Sequence, residues 1–220
     1  MSQTLYVQLL DLACGALLLT AVLVLWRREV AVIIRIFALQ GVALAALVAV
    51  LAVHERSAEL GAVGVGILVL RAGVLPNLLR RALVGFPHTP RETRPVVNVS
   101  ASLLAAAVLA LIAYAVSQPL VALAPSPATH AIPVGMAVVL IGFFVLVTRR
   151  RALSQLVGFL LMDNGITALG FLTTSGVGLV VELGVSLDVL LAVLVLQILT
   201  SRMRAAFGDT DLDELRELHD

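Results

Sequence analysis

The chain has 220 residues, 60% of them hydrophobic and 13% charged, with a mean hydropathy of +1.07. Ordinary soluble domains are roughly 45–50% apolar, so a water-soluble fold cannot hide this much apolar surface. The net charge of +1 leaves no broad positive field to recruit nucleic acid, and the basic residues fall instead in short clusters between apolar runs.

A bilayer core of roughly 30 Å needs about 20 apolar residues in helical form. Runs of that length cover 5–26, 30–53, 58–83, 96–117, 129–147, 152–173 and 177–200. The runs are continuous rather than alternating, and open sheet edges cannot sit in lipid, so strands are excluded. The expected fold is all-α, a polytopic transmembrane bundle of about seven helices. No basic segment precedes the first run, and the run is as long as a span; it reads as a retained helix rather than a cleaved signal, with the mature chain beginning near Met1.

The connecting segments set the orientation, because short cytoplasmic loops are enriched in basic residues. Every basic residue is arginine. Arg27 and Arg28 follow the first run, Arg80, Arg81, Arg91 and Arg94 the third, Arg149, Arg150 and Arg151 the fifth, and Arg202 and Arg204 the seventh. The opposite loops hold only Arg56. This alternation predicts an external N-terminus and a cytoplasmic C-terminus. Segment 118–133 carries Pro119, Pro125, Pro127 and Pro133 and is expected to be an irregular external loop; 85–95 is a second proline-punctuated break, on the cytoplasmic side. The breaks suggest a three-helix segment over 1–84, a four-helix segment over 96–200, whose last three helices form a compact unit, and an acidic cytoplasmic tail over 201–220.

Cys14 is the only cysteine, which excludes an internal disulfide and thiolate-held zinc or iron–sulfur clusters within this chain. His54, His88, His130 and His219 have no metal-ligand spacing, so neither a metal nor a cofactor is expected in this chain.

A charge at the centre of a spanning helix costs about 2.5–3.5 kcal/mol on insertion scales, so it demands a partner, water or a function. Arg71, Asp163 and Asp188 lie near the middles of the third, sixth and seventh runs, at one depth. Asp11 and Glu182 lie toward the external side, and Arg35 can snorkel to the cytoplasmic surface. Acids and a base at one depth on different helices can form a proton-relaying row. In it Asp163 and Asp188 titrate and Arg71 biases them electrostatically, because guanidinium does not deprotonate in proteins. Pro76, five residues after Arg71, predicts a kink that frees backbone carbonyls to line a hydrated gap. A simpler reading has Arg71 pairing with Asp163 or Asp188 and pinning helices together without transport. Asn164, Gln197 and Thr200 read as interhelical hydrogen-bonding groups, and Gly61, Gly64, Gly66, Gly176 and Gly178 as close-packing positions or helix ends. Asp11 reads equally as a helix-interface group or an entry-side carboxylate, and Glu182 as a possible contact to another chain.

The stretch RRRALSQLVGFLLMDNGITALGF, 149–171, followed by VELGVSLDVLLAVLVLQIL, 181–199, resembles the component E membrane subunit of hydrogenase-4 and related formate hydrogenlyase complexes. The shared features are an acid before Asn-Gly, here Asp163-Asn164-Gly165, and Val-Glu-Leu-Gly-Val followed by Leu-Asp-Val, which contain Glu182 and Asp188. Arg71 before Pro76 stands where that family commonly has lysine. The last three runs are also similar to the small K-type subunit of respiratory complex I and the C-type subunit of multisubunit sodium/proton antiporters. Alignment on the arginines and Gly158 puts the first relay glutamate of those subunits on Leu160, one turn before Asp163, and the second on or beside Asp188.

The resemblance implies a non-catalytic membrane subunit of a group 4 nickel–iron hydrogenase-like complex, in the cytoplasmic membrane of a prokaryote. Its partners would be other membrane subunits, antiporter-like ones included, and peripheral subunits that hold the metal centres. The role implied is coupling of their electron transfer to proton or sodium translocation through Arg71, Asp163, Asp188 and Glu182. The alternatives are a subunit of a cation/proton antiporter without a redox partner, or a structural scaffold of such a complex. A stand-alone enzyme is disfavoured, since no nucleophile, base and oxyanion-stabilising constellation is evident.

Overall fold

The computed structural model describes residues 1–84, 97–150 and 152–174, and there the chain is helical with short connections. Helix α1 spans Gln3–Trp26, and Ser2 caps it by accepting a hydrogen bond from the Leu5 amide. Helix α2, Val30–Glu55, runs back beside it and ends on Arg56, whose φ of 54° places it in the left-handed region typical of helix C-termini. The third crossing has three parts, α3 (Ala58–Ile67), a π-helical segment (Leu68–Val74) and α4 (Leu75–Val84). Helix α5 is Val99–Leu123, capped by Asn98, and a single turn, α6 (Pro127–His130), leads into α7 (Ile132–Thr148). Helix α8, Ala152–Thr174, closes the described bundle.

Among the described residues six crossings are long and apolar enough to span a membrane and no strand is present, so the chain is a multi-pass membrane protein of the all-helical class. They match the first six apolar runs; the seventh, with Asp188 and Glu182, lies outside the described residues, as do Gln197, Thr200, Gly176 and Gly178. Tyr6 stacks on His54 with ring centroids 3.8 Å apart, joining the start of α1 to the end of α2. At the opposite end Arg149 donates to the carbonyls of Val24, Leu25 and Arg27 at 3.1, 3.3 and 3.1 Å. A cation there meets the negative end of the α1 dipole and occupies carbonyls that no longer have intrahelical donors. Arg149 is therefore a buried cap on a neighbouring helix as well as part of an arginine cluster.

Two local expectations are corrected. Segment 118–133 is not an irregular loop throughout, because α5 continues through Pro119 to Leu123. Proline removes one backbone donor, but in the preceding turn the Ser117 hydroxyl bonds the Ala113 carbonyl at 2.6 Å and the Gln118 amide bonds that of Tyr114 at 3.4 Å, which supports the helix. A capping box between Ser126 and Thr129 then organises Pro127–His130 as α6, and α7 begins at Ile132. The close-packing glycines also differ from expectation. A Cβ on Gly61 or Gly66 would meet nothing within 4 Å, whereas Gly64 does face α2. The tightest contacts are between α7 and α8, where Gly142 lies against the backbone of Met162 and Gly158 against that of Leu146. Small residues let these antiparallel helices approach closely, and this is the most extensive pairing in the bundle. Helix α2, packed between α1, the third crossing and α8, forms the centre, while α5 exposes Leu104, Leu111 and Tyr114 on its outer side.

Candidate functional site

The centre of the bundle is polar. Arg71 sits inside the π-helical segment, is only 1% exposed, and is the largest of the fully buried side chains. Its Nη1 pairs with Asp163 Oδ2 at 2.8 Å and also donates to Asn164 Oδ1, and its Nη2 donates to Thr167 Oγ1 at 2.9 Å. The three acceptors lie on one side of α8 because residues three and four apart share a helix face. Asn164 passes the connection on by donating through Nδ2 to Gln40 Oε1 of α2 at 2.9 Å. Gln40 Nε2 in turn donates to the Leu17 carbonyl of α1 at 3.4 Å. The polar chain therefore crosses four elements, α1, α2, the π-helical segment and α8, near the midpoint of each.

The π-helical segment determines where Arg71 stands. At its end the Leu75 amide bonds the Leu70 carbonyl, five residues back, so one extra residue is accommodated before Pro76, which has no amide hydrogen to give. The disturbance expected between Arg71 and Pro76 takes the form of this widened turn. Gly41, beside Gln40 on α2, makes room for it: a Cβ there would lie 2.7 Å from the Arg71 carbonyl carbon and 2.8 Å from its oxygen.

Of the residues singled out by sequence, the structure joins Arg71 to Asp163 and shows Asn164 as an interhelical hydrogen-bonding group. Asp11 and Arg35 are exposed on the outside of the bundle, away from this network. Among the described residues no group of three metal-ligating side chains comes together.

Over 212 residues, covering 96% of each chain, the sequence is 51% identical to uncharacterized protein Rv0085 of Mycobacterium tuberculosis. The chain belongs to that protein's family. It is also 24% identical over 204 residues to hydrogenase-4 component E of Escherichia coli, covering 93% of this chain and 94% of the relative, and equally similar to hydrogenase-4 component E of Shigella flexneri. No family model and no solved structure matches the chain.

Three members of this family member's central network, Gln40, Gly41 and Thr167, carry no charge and are not prominent in the sequence. The signals were a Gln-Gly pair interrupting the second apolar run and a threonine four residues after Asp163. Chemically, the arrangement fixes a permanent cation against a carboxylate within a low-dielectric bundle and aligns an amide relay beside it. The Asp163 side chain is 12% exposed against 2% for Arg71, so the carboxylate is the less enclosed member of a buried pair.

Proposed function

We propose that the chain is a non-catalytic membrane subunit of a hydrogenase-like oxidoreductase complex, and that its central charges couple electron transfer in partner subunits to proton or sodium movement. The observation that carries this reading is the buried Arg71–Asp163 pair, at mid-depth in a chain similar to hydrogenase-4 component E over 93% of its length. Burying two charges is costly, and an apolar pair of similar volume is often as stable, so retention of the ions favours a role beyond packing. In this reading Asp163 and Asp188 exchange the proton or bind the ion, Arg71 sets their electrostatic bias, and Glu182 extends the row outward. The electron carriers and metal centres belong to partner subunits, and the site lies in the cytoplasmic membrane.

One observation favours a second reading, in which the pair is a structural pin: three α8 side chains hold one guanidinium, a geometry suited to fixing the third crossing against α8. Mild-detergent isolation of the native-level tagged protein, wild type and Asp163→Asn, followed by mass spectrometry, separates the possibilities. The coupling reading predicts a large hydrogenase-like subunit with antiporter-like membrane subunits, recovered equally from both proteins. Antiporter-like subunits alone would replace it with an antiporter assignment, and loss of all partners from the variant would favour the pin.

A further inference from the structure

Asp11 lies outside the central network and has no partner in the described bundle. It is exposed on α1, eight residues after Gln3, which places it about 12 Å along a helix that rises ~1.5 Å per residue. Helix α1 is long enough to cross the hydrocarbon core, so the carboxylate sits well inside the apolar layer and on the outer surface of the bundle. Aspartate has a single methylene and cannot snorkel over that distance as lysine and arginine do. No hydrogen bond or ion pair to Asp11 exists among the described residues.

The surface around it is shaped for a helix. Gln8, Asp11, Leu12, Gly15 and Leu19 are all exposed; Gln8 lies three and four residues before Asp11 and Leu12, Gly15 four and three after them, and Leu19 four further on, so they form a single stripe along α1. Leu12 is 70% exposed and Leu19 58%, and a Cβ added at Gly15 would meet nothing within 4 Å. Gly15, one turn below Asp11, thus leaves a notch open to the outside, where a neighbouring helix can approach the α1 backbone. Among the described residues, a second copy offers no complementary charge by direct apposition. The exposed arginines of the described residues, Arg27, Arg28, Arg35, Arg56, Arg80, Arg81 and Arg150, lie at or near helix ends rather than at the depth of Asp11.

We propose that this stripe of α1 is the docking face for a spanning helix of a different subunit, one that carries an arginine or lysine at the depth of Asp11. The inference rests on the multisubunit reading above and adds which face is used and what chemistry the partner helix supplies. An ion pair formed there satisfies Asp11 in a setting where lipid offers no donor, and it fixes the register of the two helices.

The test uses the full-length protein at native level in its own membrane. A photo-crosslinking residue at Leu12 is compared with one at Leu104 on the exposed side of α5, and Asp11→Asn and Asp11→Arg are compared in the Leu12 background. The expected result is a crosslink from Leu12 to a spanning helix with a basic residue at matching depth. Its yield should fall about tenfold or more with Asp11→Arg and return when that basic residue is changed to aspartate. Size-exclusion profiles of each variant report whether the bundle itself has survived, and Asp11→Asn, a nearly isosteric change, gives the same readout with less disturbance. Crosslinking from Leu12 to lipid alone, to a second copy, or to a helix whose capture is indifferent to both Asp11 substitutions overturns the proposal. A charge-dependent partner that belongs to no oxidoreductase would uphold the docking face while overturning the functional reading above.

Discussion

At the scale of single residues, the central claim concerns how Arg71 and Asp163 depend on each other. Removing one partner of a buried pair strands the other, at a cost of about 3–5 kcal/mol, whereas replacing both by apolar groups is often close to neutral. Arg71→Leu is therefore expected to lower the thermal midpoint of the purified protein strongly, and Arg71→Leu combined with Asp163→Leu to recover much of the loss. Additive losses in the double variant would show that the 2.8 Å contact contributes no coupling. Arg149 provides an independent check, because Arg149→Ala leaves the α1 carbonyls of Val24 and Leu25 without their interhelical donor. A loss of about 2 kcal/mol in stability is expected, with the Arg71 network unaffected.

Among the elements, the sequence was most legible where the physics is local. Continuous apolar length marks the first six crossings, and the insertion cost of a charge marks Arg71 and Asp163. The π-helical segment was not legible, because its widened turn depends on a tertiary neighbour, Gly41, that lies 30 residues earlier in sequence. Pro76 signalled a disturbance but not its form. The α5 boundary was missed for a related reason: a proline rule applied to Pro119 takes no account of side chains that bond the neighbouring carbonyls. Glycines show the same division. Gly142→Leu, which would push α7 from the backbone of Met162, is expected to cost about 1–3 kcal/mol. Gly61→Ala, where the new methyl meets nothing, should be neutral or stabilising by up to ~1 kcal/mol. Thermal unfolding of the two variants side by side checks the contrast, and equal effects would contradict the packing described.

At the scale of the whole molecule, the arginine pattern and the bundle agree on which ends lie together. Arg149 reaches the end of α1 beside Arg27, while Tyr6 and His54 meet at the other end. The predicted orientation puts the first end in the cytoplasm. In a Cys14→Ala background, cysteine at Asn98 should be shielded from an impermeant thiol reagent in intact cells, and cysteine at Ser57 should react; the reverse pattern would invert the topology. Across this bundle the polar chain from Leu17 through Gln40 and Asn164 to Arg71 runs parallel to the membrane plane rather than across it. That geometry suits electrostatic influence between neighbouring subunits better than an independent transmembrane pore within this chain. The coupling reading is tested most directly in inverted membrane vesicles, by measuring electron-transfer-driven proton and sodium uptake for the wild-type complex and an assembled Asp163→Asn complex. The account predicts continued electron transfer with ion uptake lost or greatly reduced; wild-type uptake in the assembled variant would contradict it.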